Sequence, residues 1–218
     1  MFGHPDHPPE TGSEMLRRVL SRACLEATNY PERPLIGFEG AWIKALHRAF
    51  AAENPDLTIL SHGEGPDTNN TALYGRREFL YDMVAAELGV TTKTPGKGAP
   101  VTIIGRPVWL VESEFDVNSK LVAHDLGKLV FGSAPYKLLI TQTRRGNPPV
   151  AFNRFVHEAS HHCDGTLFLA YTPHPSGWSS YQPVIADVWV RGANTMERLP
   201  WSPLTIKQSL AAAGSPAA

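Results

Sequence analysis

The sequence predicts an α/β fold with a mixed sheet flanked by helices. Strand and helix patterns alternate after residue 76, in the order strand, strand, helix, strand, helix, strand, strand. The strand patterns are apolar enough to be covered on both faces. The helical stretches between them are long enough to connect parallel strands. These observations favour a sheet with helices packed on both of its faces.

The first third of the chain predicts two helices and one short strand. Residues 13–30 and 39–53 carry apolar side chains at helical spacing, and a Pro-rich turn separates them. Residues 57–60 fit a short strand, and the polar, Gly-containing residues 61–75 are typical of a loop. Residues 76–82 fit a helix or a strand, and the strand interpretation places Asp82 on the same face as Leu80.

The remaining elements follow from apolar runs and amphipathic stripes. Gly96 and Gly98 mark a turn before the first long strand. Val122, Leu126 and Leu129 form the stripe of one predicted helix. Strands are predicted at 101–114, 136–141, 166–172 and 184–190, and helices at about 118–131 and 149–162.

The length of 218 residues fits one main domain. Residues 1–12 are rich in Pro and His and are expected to form a disordered N-terminal tail. Residues 13–205 are expected to form a single nuclease-like α/β domain, for reasons given below. The Ala-, Gly-, Ser- and Pro-containing residues 206–218 are expected to form a C-terminal tail.

Composition narrows the class of protein. Hydrophobic residues make up 42% of the chain and charged residues 19%, as in ordinary globular proteins. The net charge of −1 gives no overall basic field, which argues against a stoichiometric DNA coat but not against an enzyme with a local basic groove. Neither a signal peptide nor a membrane span is predicted. Cys24 and Cys163 are expected to be free thiols, and the protein is expected in the cytoplasm.

The strand predicted at 101–114 ends in two carboxylates. Val108, Leu110, Glu112 and Glu114 alternate onto one face, because side chains of a strand point the same way at every second residue. Ionised groups at the edge of a buried sheet are costly unless a cation or hydrogen bonds offset their charge. The pattern therefore indicates a metal site at the carboxyl end of this strand.

Segments around these carboxylates resemble the motifs of a nuclease superfamily. They are similar to a divergent branch of the PD-(D/E)XK, or restriction-endonuclease-like, superfamily, over roughly residues 35–190. The resemblance implies a restriction-endonuclease-like mixed central sheet flanked by helices. The segments that carry it are Arg77–Asp82, Leu110–Glu114 and His124–Leu129.

The resemblance also implies an activity and a cofactor. Such a protein hydrolyses phosphodiester bonds in DNA as a metal-dependent endonuclease that uses Mg²⁺ or Mn²⁺. Asp82 and Glu112 would be catalytic residues that hold the ion, with Glu114 assisting them. Carboxylate oxygens suit Mg²⁺, which keeps several waters and bridges to a substrate phosphate. The ion would polarise that phosphate and help to generate hydroxide.

One position departs from the superfamily pattern, in which a lysine follows the second acid by two residues. Glu114 stands at that position. Lys128, on the following helix, is the predicted catalytic replacement that orients or activates water and stabilises the developing phosphate charge. Lys120, nearer the start of that helix, is the less favoured candidate. The displaced lysine keeps another hypothesis open, a catalytically inactive nuclease-like protein that binds nucleic acid.

Arginine pairs offer contacts to a nucleic-acid backbone. Arg76, Arg77, Arg144 and Arg145 are candidates for phosphate binding, with a solvated loop as the alternative for the second pair. DNA is the expected partner, and RNA stays an alternative. A homodimer is a further option, because such nucleases often act as dimers.

A competing motif occurs later in the chain. His157, Glu158 and His161 match the H-E-x-x-H pattern, in which two histidines on one helix face bind Zn²⁺ and the glutamate acts as general base. This pattern predicts a zinc metallopeptidase as the main alternative function. Other interpretations are a non-catalytic metal site and a solvent-facing helix, and the peptidase leaves Asp82 and Glu112 unexplained.

Overall fold

The structure is a computed structural model that describes residues 9–28, 33–61, 80–92, 101–116, 119–142, 150–172 and 187–199. Each helix in these ranges has an apolar stripe that packs on the sheet or on a neighbouring helix. None of them combines the length and apolar character needed to span a membrane. The helices are α1 (Pro9–Thr28), α2 (Arg33–Glu53), α3 (Ser119–Phe131) and α4 (Val150–Ser160).

Seven strands in the described ranges form one mixed sheet, whose spatial order follows their order in the chain. The third, fourth and fifth strands pair in parallel, and all other neighbours pair antiparallel. The predicted α/β class, with a mixed central sheet flanked by helices, is confirmed. The strands are β1 (Thr58–Ser61), β2 (Met83–Thr92), β3 (Val101–Glu114), β4 (Tyr136–Gln142), β5 (Thr166–Thr172), β6 (Asp187–Arg191) and β7 (Met196–Arg198).

The core consists of two apolar layers, one on each face of the sheet. One layer joins α1 and α2 to the sheet and includes Trp42 and Trp109. The other layer joins α3 and α4 to the opposite face and includes Leu110 and Leu126. Because consecutive side chains of β3 point to opposite faces, Glu112 points to the α3 side with Leu110.

The start of each N-terminal helix differs from the prediction. α1 begins at Pro9, inside the segment expected to be a disordered tail, and α2 begins at Arg33 rather than at residue 39. Proline is well accepted in the first turn of a helix, since its missing N–H has no partner there. Pro9 and Pro34 therefore occur at helix starts, whereas the prediction placed Pro9 in a disordered tail and Pro34 in a turn.

The region before β3 also differs from the prediction. Residues 80–82 form a bend, and the strand begins at Met83, so the strand interpretation of residues 76–82 is wrong for its described part. β2 was not predicted, and neither was β7. Asp82 consequently lies immediately before a strand that pairs with β3, rather than inside a strand.

Candidate active site

Asp82 and Glu112 lie side by side at one edge of the α3 face. Met83 is the register partner of Val111, which places the preceding Asp82 next to Glu112 across the β2–β3 pair. The Asp82 Oδ2 accepts a hydrogen bond of 2.7 Å from the backbone N–H of Ser113. The backbone of β3 thus holds the Asp82 carboxylate in place, and the same strand carries the Glu112 side chain.

Glu112 is a buried carboxylate, with 1% of its surface exposed. Burial, together with the negative charge of Asp82, raises the pKa of Glu112 from 4.5 to about 8, and the hydrogen bond from Lys128 only partly opposes this. Its Oε2 has no hydrogen-bond partner among the described residues. A buried oxygen without a partner is costly, so this carboxylate is poised to accept a cation.

Lys128 is the positive group of the site. Leu126 and Leu129 pack α3 on the sheet, which brings Lys128 Nζ to 2.7 Å from Glu112 Oε1 and 2.9 Å from Asp125 Oδ1. Burial alone would lower the pKa of Lys128, but its hydrogen bonds to Glu112 and Asp125 outweigh burial and raise it. The ammonium therefore stays protonated at neutral pH and acts as a hydrogen-bond donor.

Packing around the ion pair holds α3 against the strands. The Tyr81 hydroxyl donates a 3.2 Å hydrogen bond to the backbone carbonyl of Lys128, which joins the bend before β2 to the end of the helix. A Cβ at Gly132 would overlap the ends of the Leu110 and Tyr81 side chains, so a larger residue there would require both side chains to move. These contacts determine the position of Lys128 over Glu112.

Glu114 is placed differently from Glu112. Its Oε1 accepts a 2.6 Å hydrogen bond from the backbone N–H of Asp116, in the turn after β3. Lys120, the less favoured lysine, is exposed. The described contacts therefore bring Asp82, Glu112 and Lys128 together. Glu114 lies two residues farther along β3, on the same face as Glu112.

The candidate nucleic-acid contacts fall in two segments of the chain that the structure does not describe. Arg76 and Arg77 lie within residues 62–79, and Arg144 and Arg145 lie within residues 143–149, outside the described residues. The roles predicted for the four arginines stay predictions.

The H-E-x-x-H motif spans α4 and the turn after it. The rings of His157 and His161 lie 4.6 Å apart, whereas Glu158 is exposed and His157 is buried. Within the ranges that the structure describes, no three His, Cys, Asp or Glu side chains are close enough to form a ligand set. The two histidines therefore lack a third described protein ligand of the kind that a catalytic zinc requires.

A Mg²⁺ site built on the Asp82–Glu112 pair needs fewer protein ligands than a catalytic zinc site. Mg²⁺ is commonly bound by one or two carboxylates and takes its remaining ligands from water and substrate phosphate. Asp82 and Glu112 supply such a pair, and the buried Glu112 Oε2, which accepts no hydrogen bond from the described residues, is available as a ligand. The donor set therefore fits a hard divalent cation, although the described residues do not form a complete cage around one.

Asp125 is the site residue that the sequence analysis missed. It lies three residues before Lys128 on α3. Because such i,i+3 pairs are common on solvated helices, the spacing alone does not indicate a residue of a functional site. What distinguishes it is burial, because only 13% of its side chain is exposed. Asp125 is the second carboxylate, with Glu112, that contacts the Lys128 ammonium.

Replacing Asp125 with asparagine is expected to lower the pKa of Lys128, because one of the two carboxylates that raise it loses its charge. The change is expected to reduce the free energy of unfolding by about 1 kcal/mol. Titration of the Lys128 side chain by NMR, together with urea denaturation, measures both effects. An unchanged Lys128 pKa would contradict the role given to Asp125, and Glu87→Gln at an exposed ion pair is the control.

Comparisons with known proteins give no match of significance. No protein-family model, no curated protein and no solved structure matches this chain.

Proposed function

We propose that this protein is a divalent-metal-dependent nuclease that hydrolyses phosphodiester bonds in DNA. One observation carries the proposal: a buried carboxylate, Glu112, lies beside a second carboxylate, Asp82, and under a lysine ammonium at 2.7 Å. This combination supplies oxygen ligands for a cation and a positive donor for a phosphate at the same point. The PD-(D/E)XK resemblance of the sequence supports the same assignment.

Asp82 and Glu112 are the residues that would hold Mg²⁺ or Mn²⁺. When bound, the ion supplies Lewis acidity to the scissile phosphate and lowers the pKa of a bound water. Asp82 is already oriented for this by the Ser113 N–H, whereas Glu112 must lose its proton. Asp82 thus offers a ligand that is already held in position. Glu112 becomes a charged ligand only when it releases its proton and binds the cation.

Lys128 contributes positive charge rather than a base. Hydrolysis adds a water oxygen to phosphorus, breaks one phosphorus–oxygen bond and yields a phosphate monoester and an alcohol. Because the pKa of Lys128 is raised, its ammonium can donate to the phosphoryl oxygens or hold the attacking water, but it does not take the proton of that water. Asp125 positions Lys128 for this donation, and Tyr81 supports the helix that carries it.

The test is cleavage of supercoiled plasmid DNA by the purified protein with Mg²⁺, with Mn²⁺ and with EDTA. We expect metal-dependent nicking that falls at least 100-fold in Asp82→Asn, because the amide loses the charge that the cation needs. Glu87→Gln makes the same chemical change at an exposed position of β2 and should retain activity within about twofold.

Other outcomes of this assay overturn the proposal. Cleavage that Asp82→Asn retains would show that a different site or a contaminant is responsible. DNA binding without cleavage in either metal would identify the chain as an inactive nuclease-like binding protein.

A further inference from the structure

A cavity lies between α3 and α4, beside the proposed metal centre. Its volume is about 600 Å³, within the range of small-molecule binding pockets. It opens over the carboxyl ends of β4 and β5, which pair in parallel, where ligands of α/β proteins commonly bind. The lining residues are Asp116, Ser119, Lys120, Val122, Ala123, Thr141, Gln142, Ala151, Phe152, Phe155 and Tyr171.

The cavity is adjacent to the candidate active site along the sheet. Glu112 pairs with Leu139 on β4, and Glu114 pairs with Thr141, which lines the cavity. The step from Leu139 to Thr141 is two residues, or about 7 Å along a strand. The cavity is therefore about one nucleotide's reach from the carboxylate pair.

Aromatic side chains make up one wall of the cavity. The ring of Phe152 lies 6.3 Å from Tyr171 and 6.1 Å from Phe155. Tyr171 is fully buried, and its hydroxyl donates to Asn153 Oδ1 at 2.5 Å, which fixes the inner ring. Phe155, at the rim, is 46% exposed. Phe155 thus offers an exposed aromatic ring at the rim on which a flat ring can stack, and Phe152 and Tyr171 pack behind it.

The rest of the lining is polar at Ser119, Thr141 and Gln142, charged at Asp116 and Lys120, and apolar at Val122, Ala123 and Ala151. Thr141 and Gln142 bring hydroxyl and amide groups that can pair with the edge of a base. Lys120, in the first turn of α3, brings a positive charge that suits a backbone phosphate. Aromatic faces, neutral hydrogen-bonding groups and a lysine together match a nucleotide better than a lipid or an apolar peptide.

We propose that the cavity between α3 and α4 receives an unstacked nucleobase of the DNA strand whose phosphate occupies the Asp82–Glu112 site. This inference rests on the proposed nuclease function and adds to it a class of substrate. A base inside a duplex cannot reach a recess of this kind, so the bound DNA is single-stranded or locally unpaired. Phe155 stacks on the base, and Lys120 contacts the adjoining phosphate.

Equilibrium binding without divalent metal tests the cavity apart from cleavage. The probes are a fluorescein-labelled thymidine tetranucleotide and the same backbone with all bases removed, each titrated by anisotropy in EDTA. We expect the wild type to bind the base-containing probe at least 10-fold more tightly than the abasic one. Phe155→Ala should weaken binding of the base-containing probe 5- to 100-fold and leave the abasic probe unchanged.

Phe131→Ala is the matched control, because Phe131 is 92% exposed on α3 and lies outside the cavity. It should bind both probes within twofold of the wild type. Phe155→Leu keeps the apolar volume without the aromatic face, and its affinity should lie between those of Phe155→Ala and the wild type.

Equal wild-type binding of the two probes, or no binding of either, overturns the inference. So does a loss in Phe155→Ala that Phe131→Ala shares or that extends to the abasic probe. Metal-dependent cleavage with any of these results leaves the nuclease proposal intact. Base-dependent binding without cleavage would support the base-binding cavity and overturn the proposed nuclease activity.

Discussion

Replacing Glu112 with glutamine is expected to abolish cleavage and, at the same time, to raise the free energy of unfolding above neutral pH. The loss of cleavage follows from the loss of a metal-ligand charge and should exceed 100-fold. The gain in stability follows from burial, since an ionised Glu112 is disfavoured in the folded protein by its surroundings and by Asp82. A neutral amide of the same shape avoids that cost.

The pH dependence follows from the direction of the pKa shift. The pKa of Glu112 is about 8 in the folded protein and 4.5 as the ordinary value. Between these values the folded chain binds a proton that the unfolded chain has released. The stability contribution of this group is thus complete below pH 4.5 and declines, by up to about 1.4 kcal/mol per pH unit, until pH passes 8. Glutamine does not titrate, so its variant lacks this decline, and its stability advantage over the wild type should grow as the pH rises from 4.5 towards 8.

Urea denaturation at pH 5, 6.5 and 8 measures the difference. The free energies of the wild type and Glu112→Gln should be close at pH 5 and diverge as the pH rises. Glu87→Gln is the control, because Arg106 lowers the pKa of the exposed Glu87, so that residue stays ionised throughout this range. Parallel curves for the wild type and Glu112→Gln would contradict the burial argument. Added Mg²⁺ should raise the melting temperature of the wild type most at pH 8 and leave that of Glu112→Gln unchanged.

Elements with strong apolar patterns could be predicted from the sequence. β5 has the predicted bounds of 166–172, and α3 lies within one residue of its predicted start. β2 could not be predicted, because Ala, Glu and Gly interrupt the Val and Thr residues of Met83–Thr92 and no apolar alternation results. Its conformation depends on pairing with strands on both sides, and such tertiary pairing leaves no periodic signal in a single sequence.

The candidate site divides in the same way. Glu112 could be predicted because an acid at the end of an apolar run is unusual, and the resemblance pointed to Lys128. The 2.7 Å contact between them depends on how α3 crosses back over β3, which no local pattern encodes. Asp125 was missed because only its burial separates it from an ordinary helical ion pair. The contact between Asp82 and the Ser113 N–H likewise follows from antiparallel register.

Replacing Lys128 with methionine is expected to reduce cleavage by 100- to 1,000-fold, the range found when one donor to a developing oxyanion is removed. Methionine keeps most of the apolar length of the side chain, so packing of α3 on β3 should persist. DNA affinity should change little, because Lys128 is 23% exposed and donates to two carboxylates rather than to solvent. The loss should therefore appear in kcat and not in KM.

The same substitution separates a catalytic ammonium from a structural one. Without Lys128, the pKa of Glu112 loses the interactions that lower it and should rise further, so the variant should need a higher pH to bind Mn²⁺. Raising the pH or the Mn²⁺ concentration would then restore metal binding, measured by calorimetry, without restoring kcat. Lys44→Met is the control. Lys44 lies on α2, which packs on the sheet face opposite α3, so this variant should retain full activity. Recovery of kcat together with metal binding would mean that Lys128 only organises the carboxylates, and that the phosphate charge is stabilised by another group.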